Sequence, residues 1–150
     1  MTNNRTGTAW WWIFRAAAVA IILAIAVPAF AYEVARKDTR GGFLADTLRQ
    51  IAEAERTNIQ VSITGRRCAS SCTMWLTYRK TCVARRTKFQ FHCYSVNGTC
   101  SPKWNTFAAQ RLASVNPALG EWFLKEVAGS QRLRTVTGET FINLGAKECE

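Results

Sequence analysis

Alternation of apolar and polar positions marks a short strand in the first half of the chain. Ile59, Val61 and Ile63 alternate with polar neighbours until Gly65, a period of two that is typical of a strand with one buried face. Other short runs rich in apolar or β-branched residues predict strands at 32–36, 81–84, 88–92 and 133–136.

Helical periodicity appears between these strands. Leu44, Leu48 and Ile51 recur at a spacing of three to four residues, which predicts an amphipathic helix over 43–55. Weaker apolar stripes predict helical segments at 73–78, 104–115, 122–127 and 141–144. The alternation of strands and helices predicts an α/β fold in which helices pack on a small mixed or parallel sheet.

The N-terminal segment has the pattern of an export signal. Residues 16–27 are apolar and uncharged, and the Ala-Phe-Ala at 29–31 is a small-x-small pattern, so we expect a signal peptide cleaved before Tyr32. The alternative is that 10–31 stays as an inner-membrane anchor. Either interpretation exports residues 32–150 as one domain, to the periplasm or to the medium.

All six cysteines lie in the exported part, which favours a disulfide framework. They are Cys68, Cys72, Cys82, Cys93, Cys100 and Cys149. A local pairing is indicated only for Cys93 and Cys100, which bracket a turn-forming Asn-Gly. A zinc site at Cys68, Cys72 and His92-Cys93 is the weaker alternative, because paired C-x-x-C knuckles are missing and export disfavours free thiolates.

The chain is basic, with a formal net charge of +10. Such a domain can contact anionic lipid or another polymer of the cell envelope, so envelope or membrane association is one expectation. The basic pairs fall at the ends of predicted elements without interleaved aromatic residues, and nucleic acid is therefore not a predicted partner. Phosphate-loop and dinucleotide motifs are missing from the sequence, so we predict no cofactor and no metal.

Three features carry candidate chemistry. Gly41-Gly42 lies between a predicted strand and a helix, where exposed backbone N–H groups at the positive end of the helix dipole can bind an anion or an oxyanion. Ser70 lies in the small-residue turn Cys-Ala-Ser-Ser-Cys, and His92, the sole histidine, ends a strand 92 − 70 = 22 positions later. The ordinary alternatives are a strand-helix turn, a helix N-cap and a half-buried strand residue.

The order of these features resembles the ClpP/crotonase superfamily. The chain is especially similar to small exported ClpP-like proteins of alphaproteobacteria, over residues 33–149. The resemblance implies a serine peptidase in which Ser70 is the nucleophile, with Ser71 as the fallback, and His92 is the general base. It also implies an oxyanion hole of backbone N–H groups from Gly42 or Phe43 and from Ser71. The substrate would be a peptide or protein.

The segment 131–139 departs from the family pattern. The resemblance implies an aspartate there as the third member of the triad, but the segment holds none. Glu139, Asn143 or a backbone carbonyl would have to orient His92 instead. A catalytically inactive, disulfide-stabilised binding protein of the envelope is the alternative function. The oligomeric state is left open.

Overall fold

A computed structural model describes residues 32–34, by their backbone, and residues 40–150. The predicted leader at 1–31 lies outside the described residues. The strands are β1 Tyr32–Val34, β2 Val61–Ile63, β3 Arg67–Ala69, β4 Thr81–Val83, β5 Lys88–Phe91, β6 Ser95–Val96, β7 Thr99–Cys100, β8 Arg134–Thr137 and β9 Lys147–Glu148. The α-helices are α1 Leu44–Thr57, α2 Pro102–Val115, α3 Pro117–Glu126 and α4 Gly138–Asn143, and a 3₁₀-helix spans Ser70–Thr77.

The strands form two main sheets. The first contains β1, β2, β4 and β9 in that order, all parallel. The second contains β3, β5 and β8; β3 runs parallel to β5, and β8 runs antiparallel to it. A short β6–β7 hairpin stands apart. The expectation of an α/β fold with small parallel and mixed sheets is confirmed.

One hydrophobic core contains residues of both sheets and of the helices. Val61, Ile63 and Val83 of the parallel sheet are fully buried, as expected for strands covered on both faces. In the mixed sheet, Phe89 and Phe91 point inward, and Phe89 meets Phe141 of α4 edge to face at a centroid distance of 5.0 Å. Burial of these rings fixes which face of β5 remains open to solvent.

Several helix boundaries differ from the sequence prediction. The stripe expected at 122–127 belongs to a longer helix, α3, which begins at Pro117. Asn116 ends α2 and also caps α3, since its Oδ1 accepts a hydrogen bond from Ala118 N at 2.9 Å. The helix expected from Thr73 begins three residues earlier, at Ser70, and is a 3₁₀-helix.

The structure contains three disulfides, which join Cys68 to Cys72, Cys82 to Cys149 and Cys93 to Cys100. The predicted Cys93–Cys100 pair is confirmed. Three disulfides in so small a domain indicate an oxidising environment, extracellular or periplasmic.

The described residues offer neither a membrane-spanning helix nor a cluster of metal ligands. Over 32–34 and 40–150 no helix is both long and apolar enough to cross a bilayer. The same residues contain no group of three or more His, Cys, Asp or Glu side chains that could hold a metal ion. Because all six cysteines are paired in disulfides, none offers a thiolate to the zinc alternative.

Candidate functional site

Ser70 occupies an unusual backbone position at the end of β3. Its φ is +53°, in the left-handed region that costs a non-glycine residue about 1–2 kcal/mol. Ala69, not Ser70, is the N-cap of the 3₁₀-helix, so the N-cap interpretation of Ser70 is wrong. Thr73 Oγ1 donates a hydrogen bond to the Ser70 carbonyl at 2.7 Å, which holds this turn. Since Ser70 does not cap the helix and Thr73 bonds its carbonyl, the Ser70 hydroxyl is left for another partner.

That partner is His92. The parallel pairing of β3 with β5 sets Ala69 opposite Gln90, so the residues that follow both strands meet at one edge of the sheet. His92 Nε2 lies 2.9 Å from Ser70 Oγ. The structure thus brings together the two side chains singled out from sequence, although they are 22 residues apart.

The hydrogen bond made by His92 Nδ1 determines whether Nε2 donates or accepts. Nδ1 lies 2.8 Å from the backbone carbonyl oxygen of Cys93. A carbonyl can only accept a hydrogen bond, so in the neutral ring Nδ1 carries the proton and donates it. Nε2 then presents its lone pair to the Ser70 hydroxyl, which donates to it. This is the tautomer that a general base requires.

The backbone after His92 is fixed from several sides. Cys93 N donates to Ser130 O at 2.9 Å, and the Cys93–Cys100 disulfide closes the loop. Asn105 of α2, only 3% exposed, accepts from Tyr94 N at 2.9 Å and donates to Tyr94 O at 3.0 Å. The Cys93 carbonyl is consequently held in place before any substrate arrives.

A buried hydroxyl pair links the two halves of the site. The Tyr94 hydroxyl is hydrogen-bonded to Thr73, whose hydroxyl donates to the Ser70 carbonyl. Burial raises the pKa of Tyr94 to about 12, and the bond to Thr73 offsets only part of that rise. The segment after His92 and the turn of Ser70 are therefore tied together through Thr73.

The glycine pair packs directly on the serine turn. Gly41 has φ +88°, and a Cβ there would lie 2.7 Å from both Ala69 O and Ser70 Cβ, so only glycine fits. Gly42 N donates a hydrogen bond to Ser71 Oγ at 2.9 Å. This differs from the sequence expectation, in which the Gly42 N–H was open to an oxyanion. In this structure the hydroxyl of the neighbouring serine takes that place.

Ser71 and Phe43, the remaining predicted residues, are placed differently. Ser71 is 3% exposed and its hydroxyl faces Gly42, so Ser70 is the serine that contacts His92. Phe43 is the N-cap of α1, and its side chain is 82% exposed at the mouth of a pocket of about 300 Å³. Gly42, Ser71 and Trp75 line the same pocket, so a cavity adjoins the serine turn.

Of the three groups proposed to replace the triad aspartate, only the backbone carbonyl contacts His92. The carboxylate of Glu139 lies on the surface and pairs with Arg85 at 3.2 Å. Asn143 ends α4 with an exposed side chain. The hydrogen bonds of the imidazole go to Ser70 Oγ and Cys93 O. Sequence reasoning could not choose this carbonyl, because every residue offers one.

Comparison with other proteins assigns no family to the chain. No family model matches it. A search of the curated proteins likewise found no significant match.

Proposed function

We propose that this chain is an exported ClpP/crotonase-like serine hydrolase that acts on peptides through an acyl-enzyme. The observation that carries the proposal is the chain of hydrogen bonds from Ser70 Oγ to His92 Nε2 and from His92 Nδ1 to Cys93 O. The left-handed backbone of Ser70 supports it, since strained conformations of this kind cluster at active sites.

The proposed reaction has two stages. Ser70 Oγ attacks the scissile carbonyl carbon while His92 Nε2 takes the hydroxyl proton. The tetrahedral intermediate collapses, the C–N bond breaks, and the imidazolium returns the proton to the leaving amine. Water then adds to the acyl-Ser70 ester with His92 as base, which releases the carboxylic acid and regenerates the serine.

The Cys93 carbonyl would do part of the work of a triad carboxylate. It selects the tautomer and orients the ring, and a wrong tautomer alone lowers the turnover of a serine protease by about 10⁴-fold. It cannot supply a full negative charge to stabilise the imidazolium that forms during attack. We therefore expect a nucleophile that reacts with activated esters and phosphonates and cleaves amides slowly.

The oxyanion hole would have to open before reaction. Ser71 Oγ accepts the hydrogen bond of Gly42 N, so this amide becomes available to an oxyanion only when the Ser71 hydroxyl rotates away. The amide N of Ser71 lies close to the glycine loop, where a Cβ on Gly41 would be 3.3 Å from it. Both proposed donors thus belong to segments that pack against each other at the Ser70 turn.

A second candidate function is a catalytically inactive binding domain of the same fold. The occupied Gly42 amide favours it, because a resting oxyanion hole filled by an internal hydroxyl is what a domain without turnover would tolerate. The two candidates differ in one property, which is whether the Ser70 hydroxyl is more nucleophilic than an ordinary serine.

A fluorophosphonate probe separates them. The oxidised full chain is incubated with the probe, digested, and analysed by peptide mass spectrometry, beside Ser70→Ala, Ser71→Ala and His92→Gln variants. A hydrolase forms one adduct, on Ser70, and the His92→Gln variant forms it at least about 100-fold more slowly because the general base is lost.

Folding must be measured in the same samples, since an unfolded variant would also fail to react. Circular dichroism and the number of intact disulfides provide that control. Folded wild-type protein that forms no adduct, or an adduct equally fast in His92→Gln, would rule out the hydrolase and leave the binding domain.

A further inference from the structure

A basic groove lies on the open face of the mixed sheet. It has a volume of about 560 Å³ and is lined by Arg66, Arg67, Arg86, Lys88 and Gln90. Four of these five residues are cations, and none of the five carries a carboxylate.

The groove runs toward the candidate site. Phe89 and Phe91 are buried in the core, so Lys88 and Gln90 project from the opposite face of β5, and His92 continues that alternation. The pairing of Ala69 with Gln90 sets the far end of the groove beside the residue that precedes Ser70. A molecule lying along this face from Lys88 would reach Ser70 and His92 without changing direction.

Two of the four cations can bind a ligand carboxylate, because no carboxylate of the described residues neutralises them. In the described part of the chain, Arg86 and Lys88 are exposed and take part in no ion pair. The adjacent Arg85 contrasts with them, since its guanidinium binds the carboxylates of Glu139 and Glu148. Arg66 and Arg67 have interactions of their own, so we assign recognition to Arg86 and Lys88.

We propose that this groove binds an extended peptide segment rich in carboxylates and presents it to Ser70. Alternate side chains of an extended peptide repeat about every 6.6 Å, which is also the spacing of Lys88, Gln90 and His92 along β5. Acidic side chains of the peptide would face Lys88 at the start of β5 and Arg86 in the turn before it, while a backbone carbonyl lies at Ser70. Gln90, whose amide donates to Thr135 Oγ1 at 3.4 Å, gives the middle of the groove a polar surface.

This inference rests on the proposed hydrolase for its chemistry, but binding can be tested without turnover. In one arm, Ser70→Ala protein is titrated into fluorescein-labelled peptides of equal length that alternate Thr with Glu, Gln or Lys. We expect the Glu peptide to bind about tenfold more tightly than the Gln peptide at low salt, and the difference to shrink as salt screens the pairs.

The second arm measures protection of Ser70 in the wild-type chain. The unlabelled peptides compete with the fluorophosphonate probe, and each rate is normalised to the rate of the same protein without peptide. Lys88→Glu and Arg86→Glu should reverse the preference, so that the Lys peptide protects best. Lys125→Glu, an exposed position on α3 outside the groove, makes the same charge change and should keep the preference for the Glu peptide.

The outcomes separate this inference from the proposed function. Tight, Lys88-dependent binding of the Glu peptide supports the groove even where Ser70 forms no adduct. Absence of the adduct overturns only the hydrolase. Adduct formation that Glu and Gln peptides slow equally overturns the groove and leaves the hydrolase standing. Equal protection by single-stranded DNA or anionic vesicles at matched charge overturns the assignment to peptides.

Discussion

The two sheets of this domain differ in the burial of their side chains and in the length of the loops that their disulfides close. The parallel sheet buries Val61, Ile63 and Val83 completely and is closed by one disulfide, Cys82–Cys149, whose ends are 67 residues apart. The mixed sheet carries Ser70 and His92 just beyond the ends of β3 and β5, and the two disulfides beside them span only 4 and 7 residues.

Loop length gives these disulfides different consequences. Chain entropy predicts about 4 kcal/mol of stabilisation from the long loop and about 2 kcal/mol from each short one. The short loops hold particular backbone groups instead: one encloses the left-handed turn of Ser70, and the other begins at the carbonyl that orients His92. The disulfide of the parallel sheet therefore contributes mainly to the stability of the fold, and the short disulfides beside the mixed sheet mainly hold the geometry of Ser70 and His92.

The largest expected effect is on the parallel sheet. Replacing Cys82 and Cys149 together by Ala should lower the free energy of unfolding by about 4 kcal/mol, because the unfolded chain regains a long loop. Chemical denaturation of the oxidised variant measures it. The molecules that remain folded should still react with the fluorophosphonate probe at close to the wild-type rate. A smaller loss of stability than in Cys68→Ala/Cys72→Ala would contradict the claim that the long disulfide loop stabilises the fold more than the short one.

The converse change should affect activity more than stability. Cys68→Ala/Cys72→Ala should cost about 2 kcal/mol of stability, and it should slow adduct formation at Ser70 by about 100-fold, since a freed turn loses the productive geometry. Labelling rate and unfolding free energy are measured on the same samples. An unchanged labelling rate would show that the short loop is not needed to hold Ser70.

The buried Tyr94 hydroxyl predicts sensitivity to alkali. Its pKa is about 12 in the folded chain, against about 10 when unfolded, so the folded state favours the neutral phenol. The stabilisation is complete below about pH 10 and is lost as the pH rises through about 12. At about pH 11, midway between the two pKa values, Tyr94→Phe should remove roughly 1 kcal/mol of that alkaline loss, measured by denaturation at several pH values. A wild-type and variant loss of equal size would contradict the burial of Tyr94.

The smallest effect concerns the internal hydroxyl at Gly42. Ser71→Ala removes the group that accepts the Gly42 N–H, so an oxyanion would find this donor open. We expect adduct formation to become about fivefold faster, the value of one modest hydrogen bond, with a stability loss of about 1 kcal/mol. Ser71→Thr keeps the hydroxyl and provides the control. Slower reaction in Ser71→Ala would mean that this hydroxyl helps the chemistry.

Local patterns predicted much of the fold. The stripe at 43–55 became α1, the alternation around Val61 became β2, and the bracketed Asn-Gly pointed to the Cys93–Cys100 disulfide. Each of these depends on residues close in sequence. The partners of Cys82 and of the cysteines around Ser70 could not be assigned, since they follow from how the sheets pack.

The sequence predicted which residues form the candidate site, but not the hydrogen bonds that orient them. Small residues around Ser70 and a strand-final His92 indicated a pair, which the register of β3 against β5 brings together. The orienting group was not predictable, because a backbone carbonyl has no sequence signature. The Ser71 hydroxyl on Gly42 depends likewise on a rotamer and on a loop approaching from another element.

The most direct test of the account is the tautomer of His92, the single histidine of the chain. Nitrogen NMR of protein labelled only at histidine, at a pH where the ring is neutral, reports which nitrogen carries the proton. We predict a proton on Nδ1 and a bare Nε2 whose signal shifts in Ser70→Ala while that of Nδ1 stays. A proton on Nε2 would make His92 a donor to Ser70 rather than its base, and it would contradict the proposed mechanism.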